Sequence, residues 1–350
     1  MSLTDTRLTF GKGINQVDAE TSIPEGFARR IVNLDVANGG TLKQRSGTLS
    51  VLSMSDCHSL WSPSQGDAGF FSSGGNIYRY DGTTATVVVA GISPGLRISY
   101  ADLLGNVYWS NGAQSGVLVG GVSNQPWGDG GTGPLGQTYM TGIRGGIVRY
   151  YRGRIYAVDG RTIWATEPQD YQHVDLARGF LQLESEILLF EPVSSGIYVG
   201  TPNDGVRFFT GPDFKQFTLQ NADSLVPVRG SGLSVDGALF ESPGQGAVWL
   251  TNRGWVFGAG DGSTRRLTDK QMALPDYASA TSVLREANGM RQIMSFATGG
   301  TDSAQARDVI TSEIIHNGVL KLSFENEAMA TVCASDVLTS EIIRNGVLLT

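Results

Sequence analysis

Several residue groups in this 350-residue chain have the types and spacing that chemistry could use. Gly91-Ile92-Ser93-Pro94-Gly95 has the G-x-S-x-G spacing of a hydrolase nucleophile elbow. That device needs a backbone N–H on the residue after the serine for its oxyanion hole, and Pro94 has none. Gly128-Asp129-Gly130-Gly131-Thr132-Gly133 has the G-x-G-x-x-G spacing of a dinucleotide loop. Such a loop needs a strand before it and a helix after it. Pro126-Trp127 and Pro134 flank it instead, so it reads as a flexible loop. No Walker A pattern is present.

Metal and acid–base chemistry find little to work with. His58, His173 and His316 are far apart and lack metal-ligand spacing, and the adjacency of Cys57 and His58 does not make a nucleophile–base pair. Glu184 and Glu186 are expected to share one solvated strand face. Repeated Asp-box turns of the sialidase kind are missing. These features predict no enzyme, no catalytic residue, no metal and no cofactor.

One charge cluster stands out. Arg144, Arg149, Arg152, Arg154 and Arg161 fall within 18 residues that contain a single acid, Asp159. They form a candidate surface facing either an acidic neighbouring subunit or DNA, whose phosphates would make binding strongly salt-dependent. Exposed hairpin arginines are the plainer reading. Of the 26 basic residues 21 are Arg, the side chain that makes planar two-point contacts at interfaces. The net charge of −7 argues against a general polyanion binder.

The elements that must carry these groups are β-strands. The 47 glycines are roughly twice the ordinary share, and with 17% charged residues they suit short strands joined by tight turns. A unit of apolar-aromatic strand, Gly-containing turn and second strand recurs around Tyr78, Tyr108, Tyr156, Tyr198, Trp249 and Met294, at spacings of 30, 48, 42, 51 and 45. Four-stranded propeller blades recur at about 40–50 residues. The fold class is therefore expected to be all-β, a propeller-like ring of short antiparallel sheets with five to seven blades; β-sandwich domains are the alternative. Short helical turns are expected at Thr268–Ala273 and Ser282–Ala287. Cys57 and Cys333 give no disulfide framework. Met1–Phe10, with Asp5 and Arg7, has no signal-peptide core, and no apolar run reaches the roughly 20 residues that span a bilayer; membrane insertion is not expected.

The C-terminal region repeats itself. Asp308-Val-Ile-Thr-Ser-Glu-Ile-Ile-His-Asn-Gly-Val-Leu320 returns as Asp336-Val-Leu-Thr-Ser-Glu-Ile-Ile-Arg-Asn-Gly-Val-Leu348, with 11 of 13 positions identical. Each copy reads as a hairpin with an Asn-Gly turn, placing His316 and Arg344 as candidate tip contacts. The expected division is an N-terminal arm and first hairpin over 1–47, a propeller-like domain over 48–300, and the repeated hairpins over 301–350 as a last blade or docking element.

In the N-terminal segment, Pro24 is expected to start a helical turn, followed by a strand over Ile31–Val36, a reversal at Asn38-Gly39-Gly40, and a return over Leu42–Arg45. This stretch resembles the opening of a group of tailed-bacteriophage virion proteins, through Ile14, Asn15, Pro24, Glu25, Gly26, Asn33, Asp35, Val36, Gly39, Gly40, Arg45 and Gly47. It covers about one tenth of the chain. The resemblance implies a β-rich structural protein of the tail, tail nozzle or head-to-tail region. Its partners would be copies of itself and other virion proteins, with DNA passing through the tail as a further one, and it would be assembled in the host cytoplasm into the virion. A receptor- or carbohydrate-binding module at the tail tip is the alternative, with Trp127, Trp164 and Trp255 as stacking candidates.

Overall fold

The computed structural model describes residues 12–28, 34–37, 41–44, 52–63, 68–269, 271–272, 274–287, 290–299, 307–315, 319–326, 343–344 and 347–349. They are all-β, with three short 3-10 turns. The chain forms two compact units, one of residues 1–47 with 227–330 and one of residues 48–226 with 331–350. The N-terminal segment thus clusters with sequence 180 or more residues away.

The repeating element is an antiparallel meander of four strands, and six are present among the described residues. The unit of residues 48–226 holds four. After the short N-terminal strands β1 (Gly13–Ile14), β2 (Phe27–Ala28), β3 (Leu34–Ala37) and β4 (Thr41–Gln44), the first blade is β5 (His58–Trp61), β6 (Gly69–Ser73), β7 (Asn76–Tyr80) and β8 (Ala85–Ala90). The second is β9 (Ser99–Leu103), β10 (Asn106–Ser110), β11 (Ser115–Val119) and β12 (Ser123–Gln125). The third is β13 (Ile147–Tyr151), β14 (Arg154–Asp159), β15 (Thr162–Ala165) and β16 (Phe180–Gln182). The fourth is β17 (Leu189–Pro192), β18 (Gly196–Thr201), β19 (Gly205–Thr210) and β20 (Thr218–Asp223).

Why blades stack is visible along β14. Successive side chains on a strand point to opposite faces. Ile155 and Ala157 join a core with Tyr108, Val117 and Trp127 from the second blade. Tyr156 and Val158 join another with Phe190, Ile197, Val199 and Phe209 from the fourth. The second blade behaves alike, with Val107 and Trp109 turned toward Phe70 and Ile77 of the first. A small sheet with two apolar faces is stable only between neighbours.

The unit of residues 1–47 and 227–330 holds the other two meanders: β21 (Leu233–Asp236), β22 (Gln245–Thr251), β23 (Gly254–Gly258) and β24 (Thr264–Arg266), then β25 (Ser279–Ala287), β26 (Met290–Thr298), β27 (Arg307–Ile315) and β28 (Val319–Asn326). Trp255 is fully buried and donates from Nε1 to Ser295 Oγ at 3.1 Å, tying one meander to the other. Here β1 and β2 pair in parallel, and β3 and β4 form the expected hairpin with Val36 opposite Leu42.

Three local expectations change. Pro24 does not open a helical turn: a 3-10 turn over Glu20–Ser22 precedes it, and its carbonyl accepts from Phe27 N to close a tight turn. Ser282–Ala287 is strand, paired with β26 from end to end; Ala280, Ser282 and Leu284 alternate inward, a period of two rather than 3.6. Thr268 does start a helical turn, its carbonyl accepting from Gln271 and Met272. The short spacing of 30 also finds its cause. Tyr78 lies on a third strand, whereas Tyr108, Tyr156, Tyr198, Trp249 and Met294 lie on second strands.

The two copies of the C-terminal repeat are paired one residue out of step. In β27–β28, Ile315 lies opposite Val319, whereas in β29 (Ile343–Arg344) and β30 (Val347–Leu349), Arg344 lies opposite Val347. His316 lies outside the described residues.

Candidate functional site

The first strands of consecutive blades are neighbours, β9 beside β13 and β13 beside β17. A polar seam crosses them. His58 Nδ1 lies 2.9 Å from Ser59 Oγ, which accepts from Ile98 N at 2.8 Å. Ser99 Oγ accepts from Val148 N at 2.8 Å and from Arg149 Nη1 at 3.1 Å. Arg149 then spans to the fourth blade, donating from Nε to Glu191 Oε2 at 3.1 Å and from Nη2 to Glu191 Oε1 at 2.6 Å. The Glu191 side chain is 3% exposed and that of Arg149 28%.

The electrostatics follow from this placement. Desolvation works against the charged form of Arg149, but the Glu191 carboxylate and its hydrogen bonds outweigh it and hold the guanidinium above its ordinary pKa. Arg97, set just before β9, is pushed down to about 10, by desolvation first and then by the Arg149 charge, with Glu191 opposing. Burial lowers His58.

The same blade interface holds a second cation. Arg154 is buried, and its Nε lies 3.1 Å from Asp213 Oδ1. Nη1 donates to Thr166 O, and the guanidinium sits 4.9 Å from the centre of the Phe214 ring. Both arginines leave their strands on the face carrying Tyr151 and Tyr156, toward the fourth blade.

The five arginines of the sequence cluster therefore do not share one surface. Arg149 and Arg154 are used inside the blade stack. Arg152 is in the β13–β14 turn and donates to Gly211 O, whereas Arg161 is in the β14–β15 turn at the other end of the blade. Arg144 is on the Arg161 side, donating to Ala113 O, since neighbouring Gly146 is bonded to Val158. Arg144, Arg152 and Arg161 are exposed. An antiparallel hairpin sends successive turns to opposite ends, so closeness in sequence does not become one patch. Arg344 lies in β29.

Other candidates resolve into structure. Ser93 is in the β8–β9 connection with its N–H donated to Gln114 Oε1, and no helix follows. The glycine-rich segment is pinned, contrary to the expected flexible loop: Asp129 bridges Thr141, Thr132 bridges Thr138, and Trp127 donates to Tyr171 O at 2.8 Å. Gly128 has φ +90°, and a Cβ there would stand 2.8 Å from Ile143 N. His173 has close partners, with Asp170 Oδ2 at 2.8 Å and the Tyr139 ring 4.4 Å away. Glu184 and Glu186 are exposed in the β16–β17 connection rather than on a strand. Among the described residues, no group of three or more His, Cys, Asp or Glu is placed to hold a metal ion. No helix among them is long and apolar enough to cross a membrane.

Sequence reasoning did not find Glu191 or Asp213. Each is an isolated acid more than 40 residues from its arginine, and nothing local marks it.

Comparison with known proteins places the architecture. A chain of the mitotic checkpoint complex crystal structure superposes with a TM-score of 0.50 at 13% identity, over 94% of this chain and 90% of that one. BBS1N in complex with ARL6DN gives 0.47 at 11% identity over 73% and 76%, and the WD40 β-propeller domain of Doa1 gives 0.45 at 11% identity over 80% and 97%. No family model and no curated protein matches the chain. At such identities the likeness is one of fold alone. The fold is all-β and propeller-like, built of stacked four-stranded blades.

Proposed function

We propose that this chain is a structural component of a tailed-phage virion, in the tail or neck, assembling through contacts with its own copies and with neighbouring virion proteins. The observation that carries this reading is how the charged groups of the blade interface are used. Arg149 with Glu191, and Arg154 with Asp213, are committed to holding two blades in one orientation. Rigidity of that kind suits a part that works by shape. The N-terminal pattern supports the same reading, with Asp35 and Val36 on a hairpin strand and Asn15 capping a turn by accepting from Val17 and Asp18.

The sugar-binding alternative requires accessible aromatic faces. Trp127 and Trp255 are enclosed, at 1% and 0% exposure, and Trp164 packs on Phe180 with ring centres 5.5 Å apart. The structural role is therefore preferred to sugar binding.

Cryo-electron microscopy and quantitative mass spectrometry of purified particles test the proposal. The expected result is this chain in fixed stoichiometry, at one station on the tail axis. Its absence from purified particles would overturn the virion reading.

A further inference from the structure

The outer edges of the four blades of residues 48–226 are not alike. The outer strand of the first blade, β8, pairs with β7 on one side, and among the described residues no strand pairs with its other side. Its residues, Ala85-Thr-Val-Val-Val-Ala90, include no charge and no proline, and Val87 is 47% exposed. The other outer edges are blunted: β12 and β16 have three residues each, and β20 carries Asp223. An open edge presents unpaired N–H and C=O groups to any extended chain, and charged side chains are a common guard against that. The one irregularity of β8, a bulge between Val87 and Val89, interrupts the edge without charging it. Alongside lies a groove of about 360 Å³ lined by Val89, Ile92, Trp109, Ser115, Asn124 and Arg144 among others. Val89, Ile92 and Trp109 belong to one core cluster and form its apolar floor. Asn124 Oδ1 is occupied by the Trp109 indole N–H at 3.0 Å, which leaves the amide N–H groups as donors. Arg144 is exposed and uses one N–H on Ala113 O. No carboxylate lines the groove, so its one charge is positive.

We propose that β8 accepts an extended segment of a partner protein as a fifth strand, and that a carboxylate side chain of that segment meets Arg144. The backbone edge and the groove select this occupant together. An open edge calls for a strand, since main-chain bonds supply the affinity in strand addition. Side chains directly across a strand pair share a face, so the partner residue beside Val89 points to the groove and Arg144. Charge complementarity makes that residue acidic. The β8 strand of a second copy would bring no acid there, because Ala85–Ala90 has none.

The test is fluorescence anisotropy with labelled, end-blocked hexapeptides that alternate threonine and valine and carry glutamate at the first or the last residue. Those are the two placements that antiparallel and parallel pairing require. One glutamate peptide is expected to bind wild type, and its glutamine counterpart to bind about tenfold more weakly, as the loss of a charged hydrogen bond implies. Arg144→Gln should weaken the glutamate peptide to the same degree and leave the glutamine peptide unchanged, with an unaltered thermal midpoint. N-methylation of alternate peptide residues is expected to abolish binding in one phase and spare it in the other, since a strand turns every second N–H toward a given neighbour. Absence of binding by both glutamate peptides, equal binding of their glutamine counterparts, or like behaviour of the two methylation phases overturns the proposal. Absence of binding together with a dimer in sedimentation that Val87→Lys abolishes would give the edge to a second copy instead. Particle mass spectrometry judges the virion reading independently, so either reading can fail alone.

Discussion

Arg149 and Glu191 form a two-point pair, at 3.1 and 2.6 Å, that joins the first strands of the third and fourth blades. Its geometry is that of a fork meeting a carboxylate, the strongest arrangement open to such a pair. Removing one member strands the other: breaking a buried pair costs about 3–5 kcal/mol, much of it from the charge left unpaired. Glu191 is the enclosed partner, so Arg149→Met is expected to cost about 3 kcal/mol in urea unfolding. Arg149→Met with Glu191→Gln should cost less than the two single changes added together. Strict additivity would show that the pair is not coupled.

Arg154 makes a different demand. It needs a planar group that reaches Asp213 and Thr166 O while lying against Phe214. Lysine keeps the charge and loses the fork and the stacking. Arg154→Lys is expected to lower stability by about 1–2 kcal/mol, as expected for lost bonds to a charged group. Thermal unfolding at high and low salt reads this, and a midpoint equal to wild type would refute it.

Asp81 supplies a pH-dependent element. Its carboxylate accepts from the backbone N–H groups of Thr84 and Thr83 and from the Thr83 hydroxyl, which lowers its pKa to about 2 from 3.8. A depressed folded-state pKa gives stability present above the unfolded value and lost as pH falls from near 4 through 2. The amide of Asn111 makes the equivalent bonds in its own turn, to Ala113 N and Gln114 N. Asp81→Asn should therefore keep the turn and flatten the fall in thermal midpoint between pH 5 and 2. An unchanged slope would assign the acid sensitivity elsewhere.

Tyr100 stacks on Trp61 with ring centres 5.2 Å apart, and its buried hydroxyl has no hydrogen-bond partner among the described residues. Burial drives its pKa far above the ordinary phenol value. An unpaired buried polar group costs about 1–3 kcal/mol. Tyr100→Phe keeps the stack, so stability is expected to hold or rise by about 1 kcal/mol. A loss in chemical unfolding would reveal a partner for the hydroxyl.

Much of the local structure was legible because strands and turns are set by near neighbours. The strand centres at Tyr108, Tyr156, Tyr198, Trp249 and Met294 all mark second strands. Alternation and glycine positions suffice for that. Ser282–Ala287 misled because six residues without a strong stripe do not separate a helical turn from a strand; pairing with β26 decides it.

The sequence by itself determined the class of architecture: short apolar strands, tight glycine turns and a blade-like period allow few other ways of burying both faces of each sheet. Only the tertiary structure decided what the charged side chains do. Five arginines close together in sequence were divided among two turns, a connection and a blade interface, because antiparallel strands carry neighbouring residues to opposite ends and faces. The acids that hold Arg149 and Arg154 come from the next blade, about 40 and 60 residues away. Which arginines are internal clamps and which remain for contact depends on those distant partners, and no local pattern specifies them.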